Sequence, residues 1–252
     1  MNGFGANAAW SLRALLGTDL TRRSDRHEIL DDHGSDQALV APTLRNLERI
    51  NVLLSGIRRI CRSTIIRDAK KNRLRDLTIA DLGCGGGGLA LWLARQCARH
   101  GITARVFGID HDPRAVSIAR SRCAHEPLVT ITAGDATDPG ILPDPIDWIV
   151  SNHFLHHLET ATVTRMLKTA ADRARRGIIM NDLVRSRRSL IEFNLLCRTL
   201  MPSGHTANDG MVSILRSFTA HELSAILASA GLSSKATITR SGIGHRAIVF
   251  RR

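Results

Sequence analysis

From residue 77 onward, short apolar runs alternate with amphipathic stretches. Five runs rich in β-branched and apolar residues predict strands at Thr78–Leu82, Arg105–Ile109, Leu128–Ala133, Ile146–Val150 and Gly177–Met180. Apolar positions spaced by three and four predict helices at Leu89–His100, Pro113–Cys123 and Thr160–Arg175. Such alternation predicts a mostly parallel sheet with helices on both faces.

The C-terminal part continues this pattern with different connections. An irregular helical insert is predicted over 187–215, followed by the capping box Thr219-x-x-Glu222, which opens a helix ending at Gly231. The last two predicted strands, 236–240 and 245–251, flank the turn 241–244 and predict an antiparallel hairpin. The predicted fold class is therefore α/β, a Rossmann-like sheet of seven strands.

The first 76 residues lack strand signals and predict a helical annex. Apolar residues at steps of three and four predict one amphipathic helix through Leu44, Leu47, Ile50, Leu54, Ile57, Cys61 and Ile65. The stretch 25–32, followed by His33-Gly34, predicts a shorter helix that ends in a turn. We therefore divide the chain into an annex or lid, 1–76, and a main domain, 77–252, that contains the insert 187–215.

The composition is that of a globular chain with its own core, since 43% of the 252 residues are hydrophobic and 23% are charged. The five cysteines are odd in number and form no CxxC pair, which predicts reduced thiols and no metal site. No apolar run is long enough to span a bilayer, and the N-terminus lacks the pattern of a signal peptide. The expected location is the cytoplasm.

The net charge of +12 is concentrated in two basic patches. The stretch from Arg58 to Arg75 contains eight basic residues and one acidic residue, Asp68. The stretch from Arg165 to Arg188 contains eight basic residues and two aspartates. Either patch could bind phosphates, although a solvated helix face explains such a cluster equally well. Base-stacking side chains are scarce, with nine aromatic residues and no tyrosine, which disfavours nucleic acid as a partner.

The strongest local signal is the glycine-rich turn Asp81-Leu82-Gly83-Cys84-Gly85-Gly86-Gly87-Gly88 between a predicted strand and a predicted helix. Glycines in such a turn let the backbone approach a ligand closely. Gly83, Gly85 and Gly88 also satisfy G-x-G-x-x-G, and Asp110 follows the next strand, so a nicotinamide cofactor is an alternative. The glycines alone do not decide between cofactors.

Asp81 favours a cofactor without a pyrophosphate. Its carboxylate precedes the first glycine by two residues, close to where a dinucleotide places its anionic phosphates. Like charges repel there, whereas an amino group and a sulfonium would be attracted. This chemistry is that of S-adenosylmethionine.

On these residues the chain resembles the class I S-adenosylmethionine-dependent methyltransferases from about Leu77 to the C-terminus. Asp81, Gly83, Gly85 and Gly87 match the family's first motif, Asp110 its ribose-binding acid and Asp135 its acid near the adenine; the segment 147–158 matches the fourth motif. The resemblance implies an enzyme that converts S-adenosylmethionine to S-adenosylhomocysteine. It implies these donor-site residues: Asp81, Gly83, Cys84, Gly85, Gly87, Asp110, His111, Asp135, Ala136, Ser151 and Asn152.

The acceptor motif points away from nucleic-acid bases. The Asn-Pro-Pro-Tyr type motif of amino-methylating enzymes is replaced by Ser151-Asn152-His153-Phe154, and no Pro-Cys or Thr-Cys dipeptide offers a nucleophilic thiol. The stretch 153–157 instead resembles the Leu-His-His segment of small-molecule O- and C-methyltransferases. A histidine suits the removal of a proton from a phenol or enol, and His153, His156 and His157 are the candidates. In a helical turn, His153 and His157 would share one face.

Three short strings narrow the resemblance further. Glu28–Asp32, Leu47-x-x-Ile50-Asn51 and Asn181–Ser186 resemble methyltransferases associated with bacterial type III polyketide synthases. This implies O-methylation of a small hydrophobic phenol or enol of polyketide or quinone type. The alternatives are C-methylation of an aromatic or quinone ring, an RNA or protein methyltransferase that uses the basic patches, a nicotinamide-dependent oxidoreductase, and a non-catalytic cofactor-binding protein.

Overall fold

Seven strands form one sheet at the centre of the computed structural model, which describes residues 12–28, 48–49, 52–200 and 204–252. The strands are β1 (Asp76–Leu82), β2 (Thr103–Asp110), β3 (Val129–Ala133), β4 (Ile146–Asn152), β5 (Ala174–Leu183), β6 (Ala236–Gly242) and β7 (His245–Arg251). Their order is β3-β2-β1-β4-β5-β7-β6. The first five are parallel, and β7 runs antiparallel to both β5 and β6. This arrangement confirms the predicted fold class and the C-terminal hairpin.

Helices cover both faces of the sheet, as predicted. They are α1 (Leu12–Gly17), α2 (Ile57–Cys61), α3 (Arg67–Lys71), α4 (Gly88–Ala98), α5 (Pro113–Cys123), α6 (Thr160–Arg173), α7 (Arg187–Leu200), α8 (Gly204–Arg216) and α9 (Ala220–Ser229). The predicted capping box is present at the start of α9, where Thr219 and Glu222 exchange hydrogen bonds with each other's backbone N–H groups.

Alternate residues of each strand serve different halves of the core. In β4, Ile149 packs with α6 and α9, whereas Trp148 and Val150 pack on the opposite face with α2 and α4. This is the period of two expected of a strand buried on both sides. Strand β5 is longer than its apolar run predicted because β4 and β7 pair with it along almost its whole length.

The chain reverses its direction across the sheet at β1, which lies between β2 and β4. In open sheets of this kind, ligands bind at the carboxyl ends of the strands beside such a switch point. The glycine-rich turn follows β1, and the histidine-rich stretch follows β4. The two strongest sequence motifs therefore meet at one edge of the sheet.

Helices α1, α7 and α8 form a small apolar cluster with the end of β5. Leu15, Leu183, Leu190, Phe193 and Met211 are among its buried members. The predicted insert is thus two helices that pack with part of the N-terminal region. Within the described residues, no helix combines the length and the apolar character needed to cross a membrane.

Two expectations for the N-terminal region are wrong where the structure describes it. The predicted long helix is interrupted at Gly56, which has a φ of +68°, and a π-helical turn, Arg62–Ile66, joins α2 to α3. Residues 25–28 are not helical, and Glu28 instead contacts Ser213 of α8 and His156 after β4. Leu44, Leu47, Ile50 and residues 29–34 lie outside the described residues.

The break at Gly56 has a steric cause. A Cβ at this residue would lie 1.8 Å from the carbonyl oxygen of Ser241, whose strand packs directly against the turn. The same contact occurs in reverse, since a Cβ at Gly242 would lie 1.8 Å from the carbonyl oxygen of Leu54. The annex and the hairpin approach each other at two glycines, and residues 57–69 share the core under β1 and β2. The division of the chain at residue 76 stays a prediction.

We expect Gly56→Ala to destabilise the protein more than Gly231→Ala. Both glycines have positive φ, but a Cβ at Gly231 meets no atom within 4 Å. Gly231→Ala should therefore cost only the left-handed conformation, about 1–2 kcal/mol, whereas Gly56→Ala adds an overpacking cost of about 1–3 kcal/mol. Urea unfolding of both variants measures the difference, and equal losses would contradict the close approach at Gly56.

Candidate active site

A cavity of about 700 Å³ opens where β1, β2, β3 and β4 end. This volume is within the range of sites that enclose small molecules. All three predicted histidines, His153, His156 and His157, contribute to its wall. Of the predicted donor-site residues, the wall contains Asp81, Gly83, Cys84, Gly85, Asp110, His111, Asp135, Ala136 and Asn152. The structure thus brings most of the predicted residues together around one space.

Two of the predicted residues lie outside this wall. Gly87 has a φ of +74°, and a Cβ there would lie 3.0 Å from the Cβ of Ala119, so this glycine lets α5 pack closely. The Ser151 hydroxyl donates to the carbonyl oxygen of Leu82 at 2.8 Å and links β4 to β1. Both residues support the glycine-rich turn from outside the cavity wall.

The glycine-rich turn owes its shape to Gly83 and Gly85. Gly83 has a φ of +68°, and a Cβ there would lie 2.7 Å from the ring of Phe154. Gly85 has a φ of +51°, and a Cβ at this residue would meet no atom within 4 Å. Gly83 therefore admits the segment after β4, and Gly85 faces open space in the cavity wall.

Asp110 at the end of β2 holds the turn in place. Its Oδ2 accepts a hydrogen bond from Gly85 N at 2.8 Å, and its Oδ1 accepts one from Asp112 N at 3.0 Å. Asp112 caps α5 by accepting a hydrogen bond from Arg114 N at 2.8 Å. His111 lies beside Asp110, with Nδ1 at 3.8 Å from Oδ1.

Asp81 is a buried carboxyl group with an unused oxygen. Its side chain is almost fully buried, and its Oδ2 has no hydrogen-bond partner among the described residues. Burial, reinforced by the negative charge of Asp110, raises the pKa of Asp81 to about 8. A positive group in the cavity would stabilise the ionised form and provide the missing partner.

The segment after β3 forms the next part of the wall. Asp135 is exposed and accepts a hydrogen bond from Thr137 N at 2.8 Å, and Ala136 is buried. Asn152 ends β4, and its Oδ1 accepts a hydrogen bond from Asn181 Nδ2 at 2.7 Å. The carboxyl ends of four strands, β1 to β4, thus present polar groups to the same cavity.

The predicted pairing of His153 with His157 on one helical face is wrong. His153 has a φ of +59°, and the following residues Leu155–His157 form a single 3₁₀ turn. The ring of His157 therefore faces His156, with 4.1 Å between ring centroids. His153 turns away from them towards β7.

His156 lies between two buried carboxylates. Its Nδ1 is 2.7 Å from Asp182 Oδ1, and its Nε2 is 3.5 Å from Glu28 Oε1. Burial disfavours the charged imidazole, but Asp182 and Glu28 outweigh this effect and raise the pKa of His156 to about 10. Burial likewise disfavours ionised Glu28, yet contact with His156 lowers the pKa of Glu28 to about 2. His156 is thus an imidazolium held by two carboxylates at neutral pH.

His153 has the opposite electrostatic environment. Its Nε2 lies 2.6 Å from Nε2 of His245, and the Nδ1 of His245 is hydrogen-bonded to the carbonyl oxygen of Ile243. Burial, together with the neighbouring His245, holds the pKa of His153 well below the ordinary value of 6.5. Burial also lowers the pKa of His245. His153 is therefore neutral at pH 7 and can accept a proton.

Glu28, Asp182 and His245 take part in the site although the sequence predicted no role for them. Glu28 and Asp182 fall within strings that carried the resemblance, but nothing in those strings indicated what they contact. His245 is 92 residues from His153 along the chain. Their position in those strings is the signal that could have marked Glu28 and Asp182, whereas no local pattern marks His245.

Glu28, His156 and His157 also offer one metal-ligand atom each, all within 4.8 Å of one another. The Ser213 hydroxyl already donates to Glu28 Oε1 at 2.8 Å, and Arg216 Nη1 lies 3.8 Å from the same oxygen. The imidazolium of His156 adds a second positive charge. Protein groups therefore balance the charge of this carboxylate.

Some basic side chains of the two patches make contacts inside the chain. Arg176 pairs with Asp68, and Arg185 pairs with Glu222 at 2.6 Å. Arg58 and Arg62 each lie over the ring of Trp92, with 5.4 Å between the guanidinium carbon and the ring centroid. These four of the sixteen basic residues in the two patches are thus engaged in packing or ion pairing within the chain.

Comparisons with known proteins show similarity to methyltransferases. Residues 79–177 match a family model described as a methyltransferase domain. The release factor glutamine methyltransferase of Mycobacterium tuberculosis is 39% identical over 77 residues, which are 29% of this chain and 25% of that protein. The match therefore spans about a quarter of the length of the curated relatives.

Solved structures share the fold at low sequence identity. The plantazolicin methyltransferase BamL, in complex with a triazolic desmethylPZN analogue and SAH, has a TM-score of 0.62 at 14% identity, and the match covers 85% of this chain and 90% of that chain. A SAM-dependent methyltransferase from Aquifex aeolicus has a TM-score of 0.54 at 15% identity, with 86% and 98% covered. Magnesium protoporphyrin IX methyltransferase from Synechocystis, with bound SAH, has a TM-score of 0.51 at 21% identity, with 78% and 84% covered.

We expect His156→Gln to lower stability and to flatten its pH dependence. A histidine whose pKa rises to about 10 on folding contributes fully below its unfolded value near 6.5, and this contribution is lost as pH rises through 10. The variant leaves two buried carboxylates without their cation, at a cost of about 3–5 kcal/mol. Urea unfolding at pH 6 and pH 9.5 measures both effects.

The exposed His100 provides the control, since His100→Gln should leave both the stability and its pH dependence unchanged. If His156→Gln retained the pH dependence of the parent protein between these two values, the imidazolium assignment would be incorrect.

Proposed function

We propose that this chain transfers a methyl group from S-adenosylmethionine to a small hydrophobic acceptor, and the match of residues 79–177 to a methyltransferase-domain model supports this proposal. The proposed reaction is O-methylation of a phenol or enol, with S-adenosylhomocysteine as the second product. The observation that carries the proposal is the single cavity, which joins the acidic turn after β1 to a neutral, buried histidine after β4.

The residues at the acidic end fit this donor. When bound, S-adenosylmethionine supplies an electrophilic methyl group on a positively charged sulfonium. The unused Asp81 Oδ2 would stabilise a positive charge there, and Gly85 leaves room for close approach. Asp110 and Asp135 line the same wall and provide carboxylate oxygens that accept hydroxyl or amino hydrogen bonds.

At the other end, His153 would act as the general base. It lines the cavity and is held uncharged by burial, so that it can accept the proton of an acceptor hydroxyl. Loss of this proton raises the nucleophilicity of the oxygen. His156 does not fit this role, because its ring is already protonated and both of its nitrogens face carboxylates.

The remaining wall suits an apolar acceptor shielded from water. Val52, Ile57, Leu89, Phe154 and Leu158 contribute apolar surface to the cavity. His27, Glu28, Ser213 and Arg216 bring the N-terminal segment and α8 to the same space. This cover would restrict water near the reacting atoms, which favours methyl transfer to the acceptor over side reactions.

C-methylation of an aromatic ring would use the same donor end and the same base, and mass spectrometry of the product distinguishes it from O-methylation. A protein acceptor is the second candidate, favoured by the 39% identity to a glutamine methyltransferase over 77 residues. The intramolecular use of Arg176, Arg185, Arg58 and Arg62 weighs against an RNA acceptor.

The test is to incubate the purified protein with methyl-radiolabelled S-adenosylmethionine and an extract of its source cells. Label in the solvent-extractable fraction supports a small hydrophobic acceptor, which mass spectrometry then identifies. Protease-sensitive label in the acid precipitate would support the protein acceptor, and nuclease-sensitive label an RNA acceptor. Either precipitate result would overturn the small-molecule proposal.

We expect Asp110→Ala to weaken donor binding by about 1–3 kcal/mol, because hydrogen bonds to a buried carboxylate are lost and the turn at Gly85 loosens. Isothermal titration with S-adenosylmethionine measures the change. Asp138→Ala removes a carboxylate that caps a 3₁₀ turn outside the cavity wall, and donor affinity should be unaffected. Unchanged affinity in Asp110→Ala would contradict the placement of the donor.

We expect His153→Asn to lower kcat by about 10²–10⁴-fold, the usual contribution of a general base. Asparagine tolerates the positive φ of this position, so donor binding should be retained. In the parent enzyme the acidic limb of the kcat profile should lie below pH 6.5, since the base is active when neutral and its pKa is lowered. The exposed His125 provides the control, as His125→Asn should change neither kcat nor the limb.

A further inference from the structure

His245 is the residue that decides which nitrogen of His153 is basic. It begins β7, is almost fully buried, and pairs across the sheet with Leu183 at the end of β5. One side of its ring faces the carbonyl oxygen of Ile243, and the other faces His153. These two contacts determine which nitrogen carries the proton on each ring.

The carbonyl oxygen of Ile243 determines which nitrogen of His245 carries the proton. A carbonyl oxygen can only accept a hydrogen bond, so the proton in its contact with His245 belongs to Nδ1 of His245. The turn that carries Ile243 is itself held by the hydrogen bond from Ile243 N to the carbonyl oxygen of Leu54 at 3.0 Å. The acceptor is therefore part of an anchored backbone turn.

The contact between the two rings determines which nitrogen of His153 carries the proton. The Nε2 atoms are 2.6 Å apart, and the ring planes differ by 16°. This distance is shorter than the spacing of stacked rings, so the nitrogens share a hydrogen bond along the ring edges. A neutral His245 that carries its proton on Nδ1 has a lone pair on Nε2, so His153 must donate from its own Nε2.

The remaining nitrogen of His153, Nδ1, is therefore the one with a lone pair. A neutral ring that is protonated on Nε2 has a lone pair on Nδ1. The charged groups around this ring are Asp182 on β5, His156 in the 3₁₀ turn and Glu28 in the N-terminal segment, and His245 on β7 is the neighbouring titratable group. The negative charges of Asp182 and Glu28 offset the positive charge of His156 and stabilise His153 once it has accepted a proton.

We propose that His245 is a positioning residue which, with the carbonyl oxygen of Ile243, fixes His153 as the Nε2–H tautomer and makes Nδ1 the base. This inference rests on the proposed function. In the step itself the acceptor O–H bond breaks, an N–H bond forms at Nδ1, and His153 becomes an imidazolium. The electron pair of the O–H bond stays on the acceptor oxygen, and solvent later removes the proton from Nδ1.

Two substitutions separate this role from a purely structural one. His245→Gln can keep both contacts, because its amide oxygen accepts from His153 and its amide nitrogen donates to a carbonyl. His245→Leu fills similar space and removes both. Val249→Ala is the matched control, because it trims a buried side chain on the same strand, four residues from His245.

The measurement is ¹⁵N NMR of the histidine rings in the full chain with S-adenosylmethionine, combined with turnover of catechol. In the parent protein we expect the His153 ring to show a protonated Nε2 and an unprotonated Nδ1. His245→Leu should mix the two tautomers and lower kcat by about 10²-fold with donor affinity unchanged. His245→Gln should restore both signals, and Val249→Ala should alter neither.

A protonated Nδ1 on His153 in the parent protein would overturn the proposal, as would unchanged tautomer and kcat in His245→Leu. The tautomer is observed without an acceptor, so failure of methyl transfer to any phenol would refute the proposed function and leave this measurement decisive for His245. If His245→Leu failed to fold, the spectra of the parent protein and of His245→Gln would decide the matter.

Discussion

The buried imidazolium of His156 determines how the carboxyl edge of the sheet is built. Asp182 at the end of β5 and Glu28 of the N-terminal segment hold it from opposite sides. Asp182 also accepts from the backbone N–H of His156 at 3.0 Å, so the turn after β4 is fixed together with the ring. Because a buried charge without partners is costly, these three groups require one another, and Glu28 draws the N-terminal segment over the cavity.

The two ends of the cavity have different electrostatic requirements. At the donor end, Asp81 and Asp110 repel each other, and burial raises the pKa of Asp81 to about 8. A positive ligand would relieve this repulsion, so the site is stabilised by what it binds. At the histidine end the charges already balance within the protein, and His153 beside them is left neutral. One end therefore favours a cation, while the other preserves an uncharged base.

Three histidines within five residues have three different environments because the backbone reverses between them. The positive φ of His153 points its ring at β7, and the 3₁₀ turn places His156 against Asp182 and His157 beside His156. Similar side chains thus reach opposite protonation states. Burial alone would keep His153 and His156 neutral, and only the position of Asp182 and Glu28 makes His156 a cation.

Local sequence patterns were enough to predict the sheet, the glycine-rich turn and the capping box at Thr219, because each depends on residues a few positions apart. The break at Gly56 was not predictable, since it arises from the approach of Ser241. Asp81 was predicted from its charge beside the glycine-rich turn and Asp110 from the family resemblance, and both line the cavity because their strands end at the same edge of the sheet. The roles of Glu28, Asp182 and His245 emerged only from the folded chain, since their partners lie far away in the sequence and no local spacing encodes which side chains meet.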